Sequence, residues 1–229
     1  MNHYKFSPSL MCMDLTSFRE QVEFFNNYAY SYHVDIMDGH FVKNITLSPY
    51  FIEQLKKITN IPIDAHLMVE NPRDFIDQVI DAGADIISLH AETINGEAFR
   101  LINDIKLKGK QFGVVLNPET SLDLIMYYIH KVDKITIMTV DPGFAGQKFI
   151  PEMREKIREI RDIKLANNYE FTITIDGSCN KKTYRVLAEA GAEEFILGSS
   201  GLFNLDKDIG KAWNKMREQF HKEVFTEKI

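Results

Sequence analysis

The sequence lacks several features that mark common classes of protein. Among its 229 residues there are only two cysteines, Cys12 and Cys179, and they form no C-x-x-C pair. Packing is the usual role of such free thiols. No run of about 18 apolar residues occurs, which argues against a membrane-spanning helix, and the amino terminus has no basic segment followed by an apolar one. We therefore expect a reduced, cytoplasmic protein.

The sequence also lacks an excess of positive charge. It has 27 Lys and Arg against 33 Asp and Glu, a formal net charge of −6, and its basic residues are scattered. No basic stripe is available to neutralise a phosphate backbone, so we expect neither nucleic acid nor a membrane as a partner. No G-x-G-x-x-G follows the first predicted strand, which counts against a dinucleotide-binding fold.

What the sequence does contain is a repeated alternation of strands and helices. No Pro- or Ser-rich linker divides the chain, and a 45% hydrophobic content supplies a sizeable core. Eight β-then-α units favour an α/β fold made of a single (β/α)8 TIM barrel, with residues 1–229 as one domain. The predicted strands cover residues 4–9, 32–37, 62–68, 85–90, 111–116, 134–140, 171–176 and 194–197. The predicted helices cover residues 15–28, 49 onward, 72 to near 83, 95–108, 121–130, 151–167, 181–190 and about 206–223.

The second predicted strand carries the motif H-V-D-I-M-D-G, which begins at His33. Alternate residues of a strand share a face, so His33 and Asp35 point the same way. An imidazole and a carboxylate are costly to bury without a partner, and a divalent cation is the simplest partner. A lone H-x-D is more often a hydrogen-bonded core pair, so a metal site requires ligands from other strands.

The carboxyl ends of barrel strands meet at one mouth, where such ligands would collect. His66 on strand 3 and Asp176 at the end of strand 7 complete a two-histidine, two-carboxylate set with His33 and Asp35. This set suits Zn, Fe, Co or Mn better than Ca or Mg; a satisfied polar core is the alternative. Asp64 and His66 are two residues apart, so their side chains share one face of the strand. Asp64 therefore either orients that histidine or is an ordinary hydrogen-bonded core carboxylate.

Glycine-bearing loops follow the last three predicted strands. Glycine lets backbone N–H groups approach an anion, and barrels often bind phosphate after strands 7 and 8. One such loop is usually only a turn, but three on one side of the mouth predict a phosphate site, and the longest is a candidate lid. The residues concerned are Gly143, Phe144, Ala145, Gly146, Gly177, Ser178, Gly198, Ser199 and Ser200.

Methionines end three of the predicted strands, at Met37, Met68 and Met138. Methionine commonly fills gaps in a core. An apolar wall beside a reactive carbon is the alternative role.

At these positions the chain resembles the ribulose-phosphate 3-epimerase family, over residues 7 to about 204. The resemblance lies in segments 9–10, 33–40, 64–69, 83–85, 116–118, 138–147 and 176–177. Segments 10–14, 47–49, 176–180 and 198–203 further resemble the allulose-6-phosphate 3-epimerase branch of that family. Lys43 stands where the family often has proline, which we expect to alter a loop rather than the chemistry.

The resemblance implies that His33, Asp35, His66 and Asp176 bind one divalent metal ion, with Asp35 and Asp176 as the acid/base pair. It also implies sugar contacts from Ser9 and His66 and phosphate binding by the glycine-bearing loops. The expected reaction is epimerisation at carbon 3 of a ketose phosphate, interconverting D-allulose 6-phosphate and D-fructose 6-phosphate through an enediolate. We expect a homo-oligomer, either a dimer or a hexamer.

There are three alternatives to this function. A ribulose-5-phosphate 3-epimerase, which makes D-xylulose 5-phosphate, has the same chemistry on a substrate one carbon shorter. A D-x-K-x-x-D barrel decarboxylase or aldolase-like synthase is disfavoured because no lysine lies among residues 35–38. A non-catalytic sugar-phosphate-binding barrel is disfavoured because both aspartates are present.

Overall fold

The predicted alternation of strands and helices is present in a computed structural model of the protein, which describes residues 4–226. Strands β1 to β8 are, in chain order, Lys5–Pro8, Tyr32–Met37, Ile63–Met68, Ile86–His90, Gln111–Leu116, Lys134–Met138, Thr172–Asp176 and Glu194–Leu197. Helices α1 to α7 are Phe18–Phe25, Pro49–Lys56, Arg73–Ala82, Ala98–Leu107, Met153–Asn167, Tyr184–Ala190 and Ile209–Phe225. Short 3-10 turns and one π-helical turn, Ser199–Phe203, complete the chain.

The eight strands form one nearly closed parallel sheet. Neighbours pair in the order β1-β8-β7-β6-β5-β4-β3-β2, and a parallel bridge between Ser9 and His33 joins β1 to β2. The fold is therefore a single (β/α)8 TIM barrel, as predicted. Because the closing bridge lies where β1 ends, it holds Ser9 beside His33 at the mouth.

Side-chain alternation along the strands separates an apolar layer from a polar interior. On β2, Tyr32, Val34 and Ile36 belong to the main hydrophobic core, whereas His33 and Asp35 contact polar side chains of another strand, β3. The helices cover the apolar layer with their own buried faces. Within residues 4–226, none of these helices has both the length and the apolarity needed to cross a membrane.

The fifth predicted helix is wrong. Between β5 and β6 the chain forms two 3-10 turns, Leu122–Leu124 and Ile129–Lys131, instead of an α-helix. The buried residues Leu122, Ile125, Tyr128 and Ile129 fit either helical period, so their spacing does not distinguish a 3-10 turn from an α-helix.

Two other predicted elements are shorter than expected. The first predicted helix is divided into a 3-10 turn, Leu15–Ser17, and α1. Asp14 caps the 3-10 turn, and its side chain accepts a hydrogen bond from the Thr16 N–H. Strand β6 ends at Met138 rather than at residue 140.

A buried charge cluster of Asp64, Lys134 and Glu194 lies inside the barrel. The Lys134 Nζ is 2.8 Å from Asp64 Oδ2 and 3.1 Å from Glu194 Oε2. Hydroxyl groups complete the cluster, with Ser88 donating to Asp64 and Ser7 donating to Glu194. Burial opposes the charges, but the paired carboxylates raise the pKa of Lys134 above its ordinary value, and the ammonium lowers the pKa of Asp64. Each charge in the cluster therefore depends on its partners.

We expect Lys134→Met to lower the free energy of unfolding by about 3–5 kcal/mol, because it leaves two carboxylates buried without their cation. Urea denaturation measures this change. Lys106→Met is the matched control, since Lys106 pairs with Asp133 at 3.0 Å on the surface. The control should change stability by less than about 1 kcal/mol. Equal losses in the two variants would contradict the role assigned to the buried cluster.

Candidate active site

Four predicted metal ligands from three strands converge inside the mouth of the barrel. His33 and Asp35 lie on β2, His66 lies on β3, and Asp176 is the last residue of β7. One ligand atom from each lies within 4.8 Å of the other three. The two histidines and Asp35 are buried, while the Asp176 side chain is 16% exposed. Of the four side chains, that of Asp176 is therefore the most accessible from the mouth of the barrel.

The separations within this group fit the coordination shell of one metal ion. His33 Nε2 is 3.1 Å from His66 Nδ1, 3.3 Å from Asp35 Oδ1 and 3.5 Å from Asp176 Oδ2. His66 Nδ1 is 3.2 Å from Asp35 Oδ1 and 3.6 Å from Asp176 Oδ2. Tetrahedral ligands at ordinary zinc–nitrogen and zinc–oxygen bond lengths stand roughly 3.3–3.6 Å apart. The four side chains could thus hold one divalent ion.

The charges of this group are strongly coupled. Burial lowers the pKa of His33, but the neighbouring carboxylates, chiefly that of Asp35, outweigh it and raise the pKa well above its ordinary value. Burial likewise raises the pKa of Asp35, but His33 and His66 lower it well below its usual range. The buried carboxylates therefore favour a positive charge at this point in the barrel. A cation site requires the same electrostatic environment.

Asp35 is held at both its side chain and its backbone. Its Oδ2 atom accepts a hydrogen bond from the Ser9 hydroxyl at 2.7 Å, which leaves Oδ1 facing the two histidines. The Thr46 hydroxyl donates to its backbone carbonyl at 2.6 Å. Ser9, which was predicted to contact sugar, thus also orients the carboxylate.

Of the two alternatives for Asp64, the structure shows the hydrogen-bonded core carboxylate, and its histidine partner is His33 rather than His66. Asp64 Oδ2 lies 3.0 Å from His33 Nδ1, because the β2–β3 register places Asp64 opposite His33 and Asp35 opposite His66. With Nδ1 bound to Asp64, His33 presents Nε2 to the other three ligands. The same carboxylate joins the metal group to the charge cluster through Lys134.

His66 has a different outer partner, which the sequence reasoning did not assign. Its Nε2 lies 2.9 Å from Nε2 of His90, the last residue of β4. Burial lowers the pKa of His90 to about 4, so this ring is neutral at neutral pH. The position of His90 at a strand end was the only signal of this role in the sequence.

The nine residues of the predicted phosphate loops line one cavity above the four candidate ligands. Ser9, Asp35 and Asp176 line the same cavity. His33 and His66 are fully buried below it, so a direct contact between His66 and sugar stays a prediction. In the long loop after β6, the Gly143 carbonyl accepts a hydrogen bond from the Asn44 side chain at 2.7 Å. The loop residues selected from the sequence therefore line a single cavity.

Backbone conformation after β7 is unusual on the cavity wall. Gly177 has φ +105°, and a Cβ there would lie 2.7 Å from the Val140 side chain. The next residue, Ser178, also has a left-handed φ of +51°, which is uncommon for a residue with a side chain. Thr183 donates a hydrogen bond to the Ser178 carbonyl at 2.6 Å and helps to hold this turn. Such strain is common at ligand-binding sites.

The three strand-end methionines also line the cavity. Met37, Met68 and Met138 are nearly fully buried, and all three border the space beside Asp35 and Asp176. Their location is the one expected of an apolar wall.

Comparison with known proteins assigns the family. The profile of the Ribulose-phosphate 3 epimerase family matches residues 5–203. Ribulose-phosphate 3-epimerase of Bacillus subtilis is 38% identical over 200 residues, which cover 86% of this chain and 91% of the relative. The chain belongs to the ribulose-phosphate 3-epimerase family. The Methanocaldococcus jannaschii enzyme of the same name is also 38% identical, over 93% of this chain and 90% of its own.

Membership of the ribulose-phosphate 3-epimerase family makes the chain an isomerase-class epimerase, as the sequence indicated. More distant solved structures share the barrel. The 3-hexulose-6-phosphate synthase of Salmonella typhimurium superposes with a TM-score of 0.66 at 15% identity, over 96% of this chain and 99% of its own. A tryptophan synthase alpha-subunit of Pyrococcus furiosus gives 0.64 at 11% identity, over 96% and 97%. At these identities the likeness shows the fold alone.

We expect protein stripped with a chelator to bind one Co²⁺ or Zn²⁺ per chain and to gain thermal stability. At a metal concentration 100 times the dissociation constant the gain is about 2.7 kcal/mol, or about 5–10 °C in Tm. Differential scanning calorimetry measures the shift. Mg²⁺ is the control, since it prefers oxygen ligands and should have little effect. Equal stabilisation by Mg²⁺ and Zn²⁺ would contradict the mixed-ligand site.

Proposed function

We propose that this protein is a metal-dependent 3-epimerase of a phosphorylated ketose. The observation that carries the proposal is the pair of aspartates, Asp35 and Asp176, which belong to one candidate metal group and also line one cavity. The proposed ligands are His33, Asp35, His66 and Asp176, and the proposed ion is Zn, Co, Mn or Fe.

Epimerisation requires loss of the carbon 3 proton, which is acidic only because a carbonyl stands at carbon 2. A bound divalent cation would supply Lewis-acid stabilisation of the negative charge on the enediolate. The residues of the chain bind and orient the substrate. In this proposal the loops at Gly143–Gly146, Gly177–Ser178 and Gly198–Ser200 take the phosphate, and Ser9 contacts the sugar.

Inversion at carbon 3 requires proton removal on one face of the substrate and delivery on the other. Strands β2 and β7 are separated in the barrel by β1 and β8, so Asp35 and Asp176 border the cavity from different sides. We assign Asp35 as the base in one direction and Asp176 as the acid, with the roles exchanged in reverse. The hydrogen bond from Ser9 fixes Asp35 Oδ2 for this transfer.

Two substrates are candidates for this site. The similar relatives are named ribulose-phosphate 3-epimerases, which favours a ribulose phosphate as the substrate. The segments that resemble the allulose-6-phosphate branch include Cys12, Ser178, Cys179, Ser199 and Ser200, which line the predicted phosphate end of the cavity. Substrate length would be sensed at that end, and on this basis we propose D-allulose 6-phosphate as the substrate, with D-ribulose 5-phosphate as the second candidate.

We expect Asp176→Asn to lower the turnover of 3-epimerisation by about 100- to 10,000-fold, the usual contribution of a positioned acid or base. Stopped samples analysed by proton NMR measure epimer formation, and circular dichroism checks the fold. Asp162→Asn, on the exposed face of α5, is the matched control and should keep full activity. Near-normal turnover by Asp176→Asn would contradict the two-aspartate mechanism.

The substrate assignment is tested with metal-loaded protein in deuterated water. Allulose 6-phosphate and ribulose 5-phosphate are supplied in parallel, and proton NMR follows exchange at carbon 3 and formation of each epimer. We expect a higher kcat/KM for the hexulose phosphate. A preference for the pentulose phosphate would assign the protein to ribulose-5-phosphate 3-epimerase, and binding without exchange would favour a sugar-phosphate-binding protein.

A further inference from the structure

A second chain of polar contacts leads away from the metal group through His90 to Glu92. His66 Nε2 and His90 Nε2 are 2.9 Å apart, and the Phe41 ring lies 4.5 Å from the His90 ring. On the far side of His90, its Nδ1 atom faces Glu92 Oε2 at 3.5 Å. Both of these atoms are buried, and neither has a hydrogen-bond partner among residues 4–226. They are therefore each other's nearest ionic partner.

Counting protons along this chain fixes the tautomer of each ring. His66 Nδ1 faces the other three candidate ligands, so with a metal ion bound its lone pair would point to the ion and its proton would lie on Nε2. That proton is donated to His90 Nε2, since only one hydrogen fits between the two nitrogens. The proton of His90 must then lie on Nδ1, which points towards Glu92. The carboxylate is the acceptor that this arrangement needs.

The orientation of Glu92 is itself fixed by the turn after β5. Its Oε1 atom accepts hydrogen bonds from the Asn117 N–H at 3.1 Å and from the Thr120 hydroxyl. Lys156 donates to three backbone carbonyls of that same turn at 2.7–2.8 Å. With Oε1 occupied in this way, Oε2 is left to face His90.

We propose that Glu92 is a positioning residue which, through His90, holds His66 in the tautomer that binds the metal ion. The proposal rests on the metal site of the proposed function. It gives the half-buried Glu92 carboxylate a role that neither phosphate binding nor proton transfer to the substrate supplies. Phe41 and the turn after β5 keep the chain in place.

Glu92→Gln tests the proposal because its amide cannot present an acceptor on both sides. The Asn117 N–H is a fixed donor, so it retains the glutamine carbonyl and leaves the NH2 group facing His90 Nδ1. His90 must then accept at Nδ1 and carry its proton on Nε2, opposite the Nε2 proton of His66. Relief of this clash requires either displacement of a ring or transfer of the His66 proton to Nδ1, its metal-binding atom.

We expect Glu92→Gln to weaken Co²⁺ binding by about 10- to 100-fold, the usual effect of losing an outer partner of a ligand. Titration of chelator-stripped protein, followed by the visible absorption of bound Co²⁺, measures the dissociation constant. Glu97→Gln is the matched control. Like Glu92, Glu97 lies between β4 and α4, but it pairs with Arg73 at the surface at 3.0 Å. The control should bind Co²⁺ within twofold of the unmodified protein.

Nitrogen-15 NMR of the Zn²⁺-loaded unmodified protein provides a test that needs no variant. We expect the proton of His66 on Nε2 and that of His90 on Nδ1. A proton on His90 Nε2, or full Co²⁺ affinity in a folded Glu92→Gln, would overturn the proposal while leaving the metal site intact. Failure of the unmodified protein to bind Co²⁺ would overturn the metal site itself, and the proposal with it.

Discussion

The candidate site depends on the register in which β2 pairs with β3. In this register Asp35 lies opposite His66, and His33 lies opposite Asp64. A slip of one residue would turn every side chain of β2 to the opposite face. A slip of two would keep the faces but would separate His33 from Asp64, so the ring would lose the carboxylate that fixes its Nδ1. The apolar residues Val34 and Ile36, which pack in the core, therefore also determine the chemistry of the barrel interior.

Much of the barrel and its site could be predicted because both follow from local patterns. Alternation along β2 placed His33 and Asp35 on one face, and the parallel topology gathered the strand ends at one mouth. Those two facts were enough to bring His66 and Asp176 into the same group. The glycine-bearing loops could also be predicted, because their backbone conformations favour glycine and the glycines can be read from the sequence.

The rest depends on pairings between distant residues, which a single sequence does not display. The strand pattern left two alternatives for Asp64, a partner of His66 or a core carboxylate, and the pairing of strands places it against His33. The role of His90 depends on where one ring nitrogen points. The fifth helix was wrong because an amphipathic segment of this length fits a 3-10 turn as well as an α-helix until packing selects the period. In each case a tertiary contact decides between locally equivalent choices.

The two histidines of the candidate metal group use different ring nitrogens, and this has a structural consequence. His33 presents Nε2 and His66 presents Nδ1, so their outer nitrogens point to different parts of the barrel. The first leads to Asp64 and the ammonium of Lys134, and the second leads through His90 to a carboxylate held by a backbone N–H. The two chains share no outer residue. The chains nevertheless end on two histidines that lie 3.1 Å apart and belong to one candidate ion site, so changes in the two chains should couple in metal affinity rather than add.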